Sequence, residues 1–419
     1  GPLVAALLPT IMPFDDPVFP RAWKHITAFV GWGLFCVLMA MAAKRHETTV
    51  TTRRAFPLTL ALAGLALACL ASVARGLPSG FGVAGVGFFA AAALCLWAGV
   101  WIQGAGLGAA VFRPFCEALL AASVCGVLIG AIQYFAPTWV DGWFIGESNS
   151  MGRIGGNLRH PNQLASLIAM GVVALAWLHD HAERRGDALL QRRRVVAVLL
   201  AIVLGFGLGA TLSRTGSVAI LIVGSWCLFD PGLHRISRAL PVFVGAISAI
   251  AWPLAIHGSS FGGKMLKMVA DRAAEPTSFR FHLWANCLDM IRESPWTGVG
   301  WGQFNFAWTL TLLEDRVPMP SDNAHNLLLQ LAVETGVPVA LAVCAVLLWS
   351  LVMAWQAIRR AVQPDRGVAR AAYAMVLVMA FHSLVEFPLW TAYFLLPTCL
   401  AFGLALGARG AGGPISPAP

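Results

Sequence analysis

The sequence is dominated by long apolar runs that are separated by short polar links. A helix that crosses a bilayer needs about 20 predominantly apolar residues, and most of these runs approach or exceed that length. The pattern predicts an all-α polytopic membrane protein with about 12 transmembrane helices. The runs cover roughly residues 3–13, 23–43, 55–74, 83–102, 114–135, 161–178, 195–211, 215–229, 239–256, 326–355, 371–388 and 390–406.

Two runs depart from this pattern. Run 3–13 is too short to cross a bilayer alone, and run 326–355 contains Gly336-Val337-Pro338, a sequence that interrupts helices. We therefore expect a short surface helix followed by a span within residues 326–355.

Composition excludes other classes of protein. Hydrophobic residues make up 58% of the chain and charged residues 12%, whereas a soluble domain has about 25% charged residues. Disordered chains combine low hydrophobicity with high charge, and outer-membrane barrels have short alternating segments. Because eight of the nine cysteines lie in apolar runs, we expect neither a disulfide framework nor a metal cluster.

The net charge of +9 could indicate nucleic-acid binding, but the distribution of Lys and Arg indicates membrane orientation instead. If the N-terminus is cytoplasmic, 17 of the 29 basic residues fall in interior loops and six in short exterior loops. We therefore expect both termini on the cytoplasmic side and no nucleic-acid partner.

Two exterior segments, 136–160 and 258–322, are longer than the other links. The second is too long for a loop without structure of its own, and its apolar residues recur at helical spacing before Ser294-Pro295. The predicted organisation is helices 1–9 in 1–257, a partly helical exterior loop that forms part of the active site in 258–323, helices 10–12 in 324–408 and a tail in 409–419.

Two exterior arginines are candidates for binding an anion. Arg214 lies where one span ends and the next begins almost without a loop, and Arg280 lies among aromatic residues in Ser278–Trp284. A guanidinium at that depth is costly unless it meets an anion or reaches water. Snorkelling of Arg214 and an interfacial aromatic belt around Arg280 are the alternatives, but the bidentate geometry of Arg suits pyrophosphate.

A histidine opens an apolar helix on the same side. His325 could take a proton from a sugar hydroxyl, because the reference pKa of His is about 6.5. Its neighbours Asp322 and Asn326 are candidates for substrate binding. The alternative is that Asp322 or Asn323 caps the helix and His325 only lies in its first turn.

A second polar patch surrounds Pro161, which is well placed as the first residue of a helix. Its members Arg159, His160, Asn162 and Gln163 are candidates for binding sugar or phosphate. The alternative is a capped helix with interfacial polar residues.

Three carboxylates also stand out. Asp15 and Asp16 could bind a divalent cation, but the flanking prolines favour an ordinary turn. Glu386 lies in an apolar run, where an ionisable group has a functional or paired role by default, and His382 is one helical turn away. Because no paired-histidine spacing indicates zinc, we predict no metal and no cofactor.

The order of these motifs resembles the O-antigen ligase, O-antigen polymerase and O-oligosaccharyltransferase superfamily of bacterial inner-membrane proteins. The resemblance rests on four segments: Leu212–Gly216, Arg280 at the start of a helix, Ser294–Gly300 and His325–Gly336. It implies a GT-C-like fold with one large periplasmic loop.

The resemblance implies a glycosyltransferase that takes a glycan from undecaprenyl pyrophosphate at a periplasmic active site. The expected function is ligation of O-antigen to lipid A-core, because the chain ends soon after its last span. Segment Gly156–Gln163 looks more like the branch that glycosylates protein Ser or Thr, so a protein acceptor and O-antigen polymerisation remain alternatives.

The expected mechanism is an inverting, metal-independent transfer within a membrane-lipid environment. Arg214 and Arg280 would hold the pyrophosphate, and His325 would deprotonate the acceptor hydroxyl. A lipid-linked sugar transporter is less favoured, because transporters place polar residues near the membrane midplane and often show repeats, whereas these candidates cluster at one face.

Overall fold

The computed structural model describes residues 1–13, 22–45, 53–150, 152–186, 188–258, 279–313, 316 and 321–410. Within these residues the chain forms fifteen α-helices and four 3-10 turns. The helices are α1 Pro2–Ile11, α2 Ala22–Arg45, α3 Phe56–Ala74, α4 Ser79–Gly104, α5 Gly108–Phe135, α6 Pro161–Arg184, α7 Leu190–Ala210, α8 Arg214–Phe229, α9 Arg235–Gly258, α10 Phe279–Glu293, α11 Phe304–Leu310, α12 Leu327–Thr335, α13 Val337–Arg360, α14 Asp365–Ser383 and α15 Ala392–Leu406.

The predicted fold class, an all-α polytopic membrane protein, is confirmed. Every predicted apolar run contains a helix, and in the described part of the chain eight helices are long and apolar enough to cross a membrane by themselves. Two shorter apolar helices, α8 and α15, add to these. The ten residues of α1 rise only about 15 Å at 1.5 Å per residue, so α1 is half the length of a span.

The run 326–355 divides at Gly336, as its sequence predicts. Gly336 has φ +83° and separates α12, a helix of nine residues, from α13, a helix of 24 residues. The turn is tight, because a Cβ at Gly336 would lie 2.3 Å from the carbonyl oxygen of Trp296. Glycine is thus required here by both the left-handed backbone and the close approach of another segment.

Helix α6 occupies the centre of the bundle. Of its apolar window 89% is buried, and it packs against α5, α7, α8, α9 and α14. Neighbouring helices thus cover most of its surface. The first residues of α6 are therefore held rigidly at one end of the bundle, where the candidate site lies.

The described part of the segment 258–323 contains α10 and α11, which pack with α12 on a small apolar cluster. Three residues of α10 enter it at helical spacing, Leu283, Cys287 and Met290, and they meet Phe304 and Trp308. This cluster fixes α10 against the turn that precedes α12. The predicted boundaries of the four chain segments remain a prediction.

Helices α4 and α15 cross with their backbones in contact at two glycines. A Cβ at Gly403 would lie 2.1 Å from the carbonyl oxygen of Leu96, and a Cβ at Gly99 would lie 2.3 Å from that of Leu400. Small residues allow such close helix packing in membranes. The atoms nearest to each added carbon belong to the backbone of the other helix, so no side-chain rotation could relieve the contact.

We expect Gly403→Ala to destabilise the protein by about 1–3 kcal/mol, because the added methyl group overpacks the crossing. The measurement is the melting temperature of purified protein in detergent or nanodiscs. Gly87→Ala is the matched control, since Gly87 lies in α4 and a methyl group added there would have no neighbour within 4 Å. A Gly403→Ala protein that melts with the control would contradict the close crossing.

Candidate functional site

The centre of the site is the carboxylate of Glu386, in the link between α14 and α15. Its side chain is 6% exposed. Arg280 Nη2 and Asn162 Nδ2 both donate to Oε1, and His325 Nδ1 lies 3.0 Å from Oε2. Four segments of the chain thus meet at one buried charge.

The environment of Glu386 keeps this carboxyl group ionised. Burial by itself would raise its pKa, but the hydrogen bond with His325 and the positive charges of His325, Arg280 and His160 outweigh burial and lower the pKa to about 2. Because an ionised carboxylate only accepts hydrogen bonds, the His325 nitrogen that contacts it, Nδ1, carries a proton, and this is the single ring proton whenever the imidazole is neutral. Nε2 then has the lone pair that a general base needs.

The backbone around His325 is held in an uncommon conformation. His325 has φ +50°, in the left-handed region that costs energy for residues other than glycine. The preceding residue is fixed at both its polar atoms: Ala324 N donates to Gln330 Oε1 at 2.7 Å, and Ala324 O accepts from Trp284 Nε1 at 2.9 Å. These contacts direct the imidazole towards Glu386.

Two histidines flank one aromatic ring at this site. The ring of Phe387 meets that of His325 edge to face at 4.9 Å between centroids, and that of His160 at 5.8 Å. Phe387 thus packs against the His325 ring and restricts its rotation.

Arg280 retains donors for a ligand. It contacts Glu386 through Nη2, and its side chain is 28% exposed. A guanidinium has five N–H donors, so Arg280 can still contact an anion through donors that Glu386 does not occupy.

Arg214 does not contact this cluster. It is the first residue of α8 and is exposed, while Ser213 caps the helix by accepting from Gly216 N at 3.1 Å. Arg153 connects the two regions, because its Nε donates to Thr211 O at 2.8 Å and its Nη2 donates to Asn162 Oδ1 at 3.1 Å. The structure therefore brings Arg280, His325 and Asn162 together and leaves Arg214 at the adjacent α7–α8 corner.

The other predicted substrate-binding residues make contacts within the protein. Arg159 donates to the carbonyl oxygens of Pro13 and Gly142, and Gln163 accepts from Tyr393 Oη at 2.9 Å.

Asn326 is the N-cap of α12, where its Oδ1 accepts from Leu329 N and its Nδ2 donates to Leu384 O. The alternative in which Asp322 or Asn323 caps this helix is therefore wrong, because the cap is Asn326. Asp322 instead accepts a hydrogen bond from Asn305 on the exposed surface. A substrate role for any of these residues remains a prediction.

Sequence reasoning singled out Glu386 but did not identify its partners, and it did not select Arg153 or Phe387. His382, the partner suggested by spacing, contacts Ser166 Oγ through Nδ1 at 3.0 Å instead. Arg153 could have been selected from the sequence, because it belongs to the same polar segment as Arg159. Asp15 and Asp16 lie outside the described residues. Within the described residues, no cluster of three metal-ligating side chains occurs.

The fold and this site define a multi-pass membrane protein with an Arg–His–carboxylate centre at one end of its bundle. Residues 199–344 match the family model described as O-antigen ligase, and residues 154–179 match that of a protein glycosylation ligase. These matches support membership of the O-antigen ligase superfamily, as the sequence resemblance implied. Arg214, Arg280 and His325 lie within the first match and Asn162 within the second.

Two curated proteins of Acinetobacter baylyi are similar to this chain. A general O-oligosaccharyltransferase is 25% identical over 266 residues, 59% of this chain and 43% of the relative. A ComP-specific O-oligosaccharyltransferase is 25% identical over 264 residues, 62% of this chain and 45% of the relative. The chain thus spans less than half the length of these relatives.

We expect Glu386→Gln to lower the melting temperature at neutral pH, because it leaves the Arg280 charge without its carboxylate. A carboxyl group with a lowered pKa stabilises the fold above its ordinary pKa of about 4.5, and this stabilisation is lost as the pH falls towards 2. The difference from wild type should therefore shrink between those pH values in a melting series. Glu117→Gln, at the exposed Arg113–Glu117 pair, is the control and should change little at any pH.

Proposed function

We propose that this chain transfers a glycan from undecaprenyl pyrophosphate to a hydroxyl group, with the Glu386–His325 pair as the catalytic base and its orienting carboxylate. The observation that supports this proposal most is the 3.0 Å contact between His325 Nδ1 and Glu386 Oε2. A histidine held through one ring nitrogen by an ionised carboxylate presents the other nitrogen to the substrate, as in other acid–base sites.

In the proposed reaction the acceptor oxygen attacks the anomeric carbon of the first sugar and gives its proton to His325 Nε2. The bond from that carbon to the pyrophosphate oxygen breaks, and its electron pair leaves with undecaprenyl pyrophosphate. Attack opposite the leaving group inverts the anomeric configuration. Glu386 stabilises the imidazolium that forms, since its charge lies on the Nδ1 side of the ring.

The two arginines have different proposed tasks. Arg280, held by Glu386, is placed to stabilise charge on the departing pyrophosphate close to the base. Arg214, exposed at the first turn of α8, adds a positive charge to the partial charge of the helix N-terminus at the neighbouring corner. Together they supply the electrostatic stabilisation that a metal ion provides in other transferases, so the proposed step uses no metal.

The proposed acceptor is a Ser or Thr hydroxyl of a protein. Both curated relatives are named O-oligosaccharyltransferases, and residues 154–179, which contain Asn162, match a protein glycosylation ligase. Lipid A-core is the second candidate, because residues 199–344, which contain His325, match the O-antigen ligase family.

The proposed location is the bacterial inner membrane, with the site facing the periplasm and both termini in the cytoplasm. This orientation follows from the excess of Lys and Arg in the loops at the opposite end of the bundle. Undecaprenyl-linked glycans presented at the periplasmic surface would reach the site from that side.

We expect His325→Ala to lower the transfer rate at least 100-fold, the lower range for loss of a general base, while donor binding persists. Rates are measured in proteoliposomes with an undecaprenyl-pyrophosphate glycan and an excess of acceptor. His282→Ala, an exposed histidine of α10, is the control. Unchanged turnover in His325→Ala would remove this residue from the mechanism.

The acceptor is tested by supplying the same proteoliposomes with a pilin-type protein or with lipid A-core. We expect glycosylated pilin and, with EDTA present, an unchanged rate. Product on lipid A-core alone would support the second candidate. A rate that depends strictly on Mg²⁺ or Mn²⁺ would contradict the metal-independent step and direct attention to Asp15 and Asp16.

A further inference from the structure

An open cleft of about 510 Å³ lies at the end of α5, outside the catalytic cluster. Its volume falls within the range of about 300–1,000 Å³ that is typical of ligand sites. Its walls are the last turn of α5, the turn that follows it, and residues 147–150 and 152–154. Its lining combines polar and apolar side chains, among them Tyr134, Val140, Glu147, Asn149, Ser150 and Arg153.

Arg153 joins this cleft to the catalytic cluster. It lines the cleft and donates to Asn162, which in turn donates to Glu386. Through Nε it also contacts Thr211 O at the α7–α8 corner, three residues before Arg214. A molecule whose phosphate end lies near Arg214 and Arg280 can therefore extend into the cleft.

The cleft has a fixed frame and polar groups that the protein does not use. Gln133 holds the frame, because its Oε1 accepts from Gly155 N and Gly156 N at 3.0 Å each. Among the described residues, the exposed carboxylate of Glu147 has no hydrogen bond or ion pair, and Asn149 Nδ2 has no hydrogen-bond acceptor. These groups are available to a ligand.

The chemistry of the lining fits a sugar better than a phosphate or a lipid chain. The Glu147 carboxylate would repel an anion, and the guanidinium of Arg153 already donates to Thr211 O and Asn162 Oδ1. The amide and hydroxyl groups do not suit a hydrocarbon chain. Sugars present hydroxyl groups to carboxylates and amides and C–H faces to apolar side chains, and both kinds of surface line this cleft.

Exposed aromatic residues set the level of the cleft relative to the membrane. Trp139, Trp143 and Phe144 are 69%, 69% and 75% exposed in the same segment. Tryptophan side chains, such as those of Trp139 and Trp143, concentrate at the headgroup level of bilayers. The pyrophosphate of a lipid-linked donor lies at that level too, so its glycan would begin beside the cleft.

We infer that the cleft beside Arg153 binds the glycan portion of the lipid-linked donor beyond its first sugar. This inference rests on the proposed function. It assigns to Glu147 and Asn149 a role in selecting donors by glycan length and composition, a role separate from the chemical step at His325.

The test compares two donors, undecaprenyl pyrophosphate with one N-acetylglucosamine and the same lipid extended to a trisaccharide. Binding is measured without acceptor by native mass spectrometry of nanodiscs, and transfer is measured in parallel. We expect wild type to bind the longer donor about tenfold more tightly, because the free energies of two additional hydrogen bonds of modest strength together correspond to about that ratio. The Glu147→Ala/Asn149→Ala double variant should lose this gain and bind the single-sugar donor as wild type does.

Thr138→Ala is the matched control, because Thr138 is exposed in the same segment and does not line the cleft. Equal binding of both donors by wild type, or a length preference that survives in the double variant, would overturn the inference. So would a change confined to the KM of a protein acceptor, which would indicate an acceptor site. A length preference in binding without any transfer would support the cleft and contradict the proposed function, whereas binding of neither donor would overturn both.

Discussion

The buried charge of Glu386 is the interaction around which the candidate site at one end of the bundle is organised. Glu386 contacts Asn162, Arg280 and His325, which lie 224, 106 and 61 positions before it in the chain. An ion removed from water is costly unless its partners are in place. Helix α6, helix α10 and the turn before α12 must therefore hold fixed positions for this carboxylate to remain ionised.

Packing away from the site supplies that rigidity. The burial of α6 on all sides fixes Asn162, and the apolar cluster around Leu283 and Phe304 fixes α10. The turn before α12 is fixed differently, through the two hydrogen bonds of Ala324. The left-handed backbone of His325 persists because the surrounding hydrogen bonds and packing hold the residue in place.

Much of this organisation could be read from local sequence patterns. Length and hydropathy predicted the helices, and Gly336 predicted the break between α12 and α13, because these features depend on residues near one another in sequence. The same reasoning selected His325 and Arg280, since an ionisable side chain at the end of an apolar helix is energetically costly unless it has a partner or a function. It also selected Arg159 and Gln163, whose side chains contact other parts of the protein. Whether a polar residue faces a ligand or a neighbouring helix does not follow from its position along the chain.

The sequence by itself determined that this protein is a bundle of membrane helices, because a backbone within lipid must satisfy its own hydrogen bonds and a helix does so locally. It also predicted that His325, Arg280 and Arg214, the candidate site residues, lie at one end of the bundle. Only the tertiary structure decided that Glu386 pairs with His325 and Arg280 instead of His382, and that Arg214 lies at a separate corner. The reason is that helix packing, and not periodicity, brings together side chains that are many tens of residues apart.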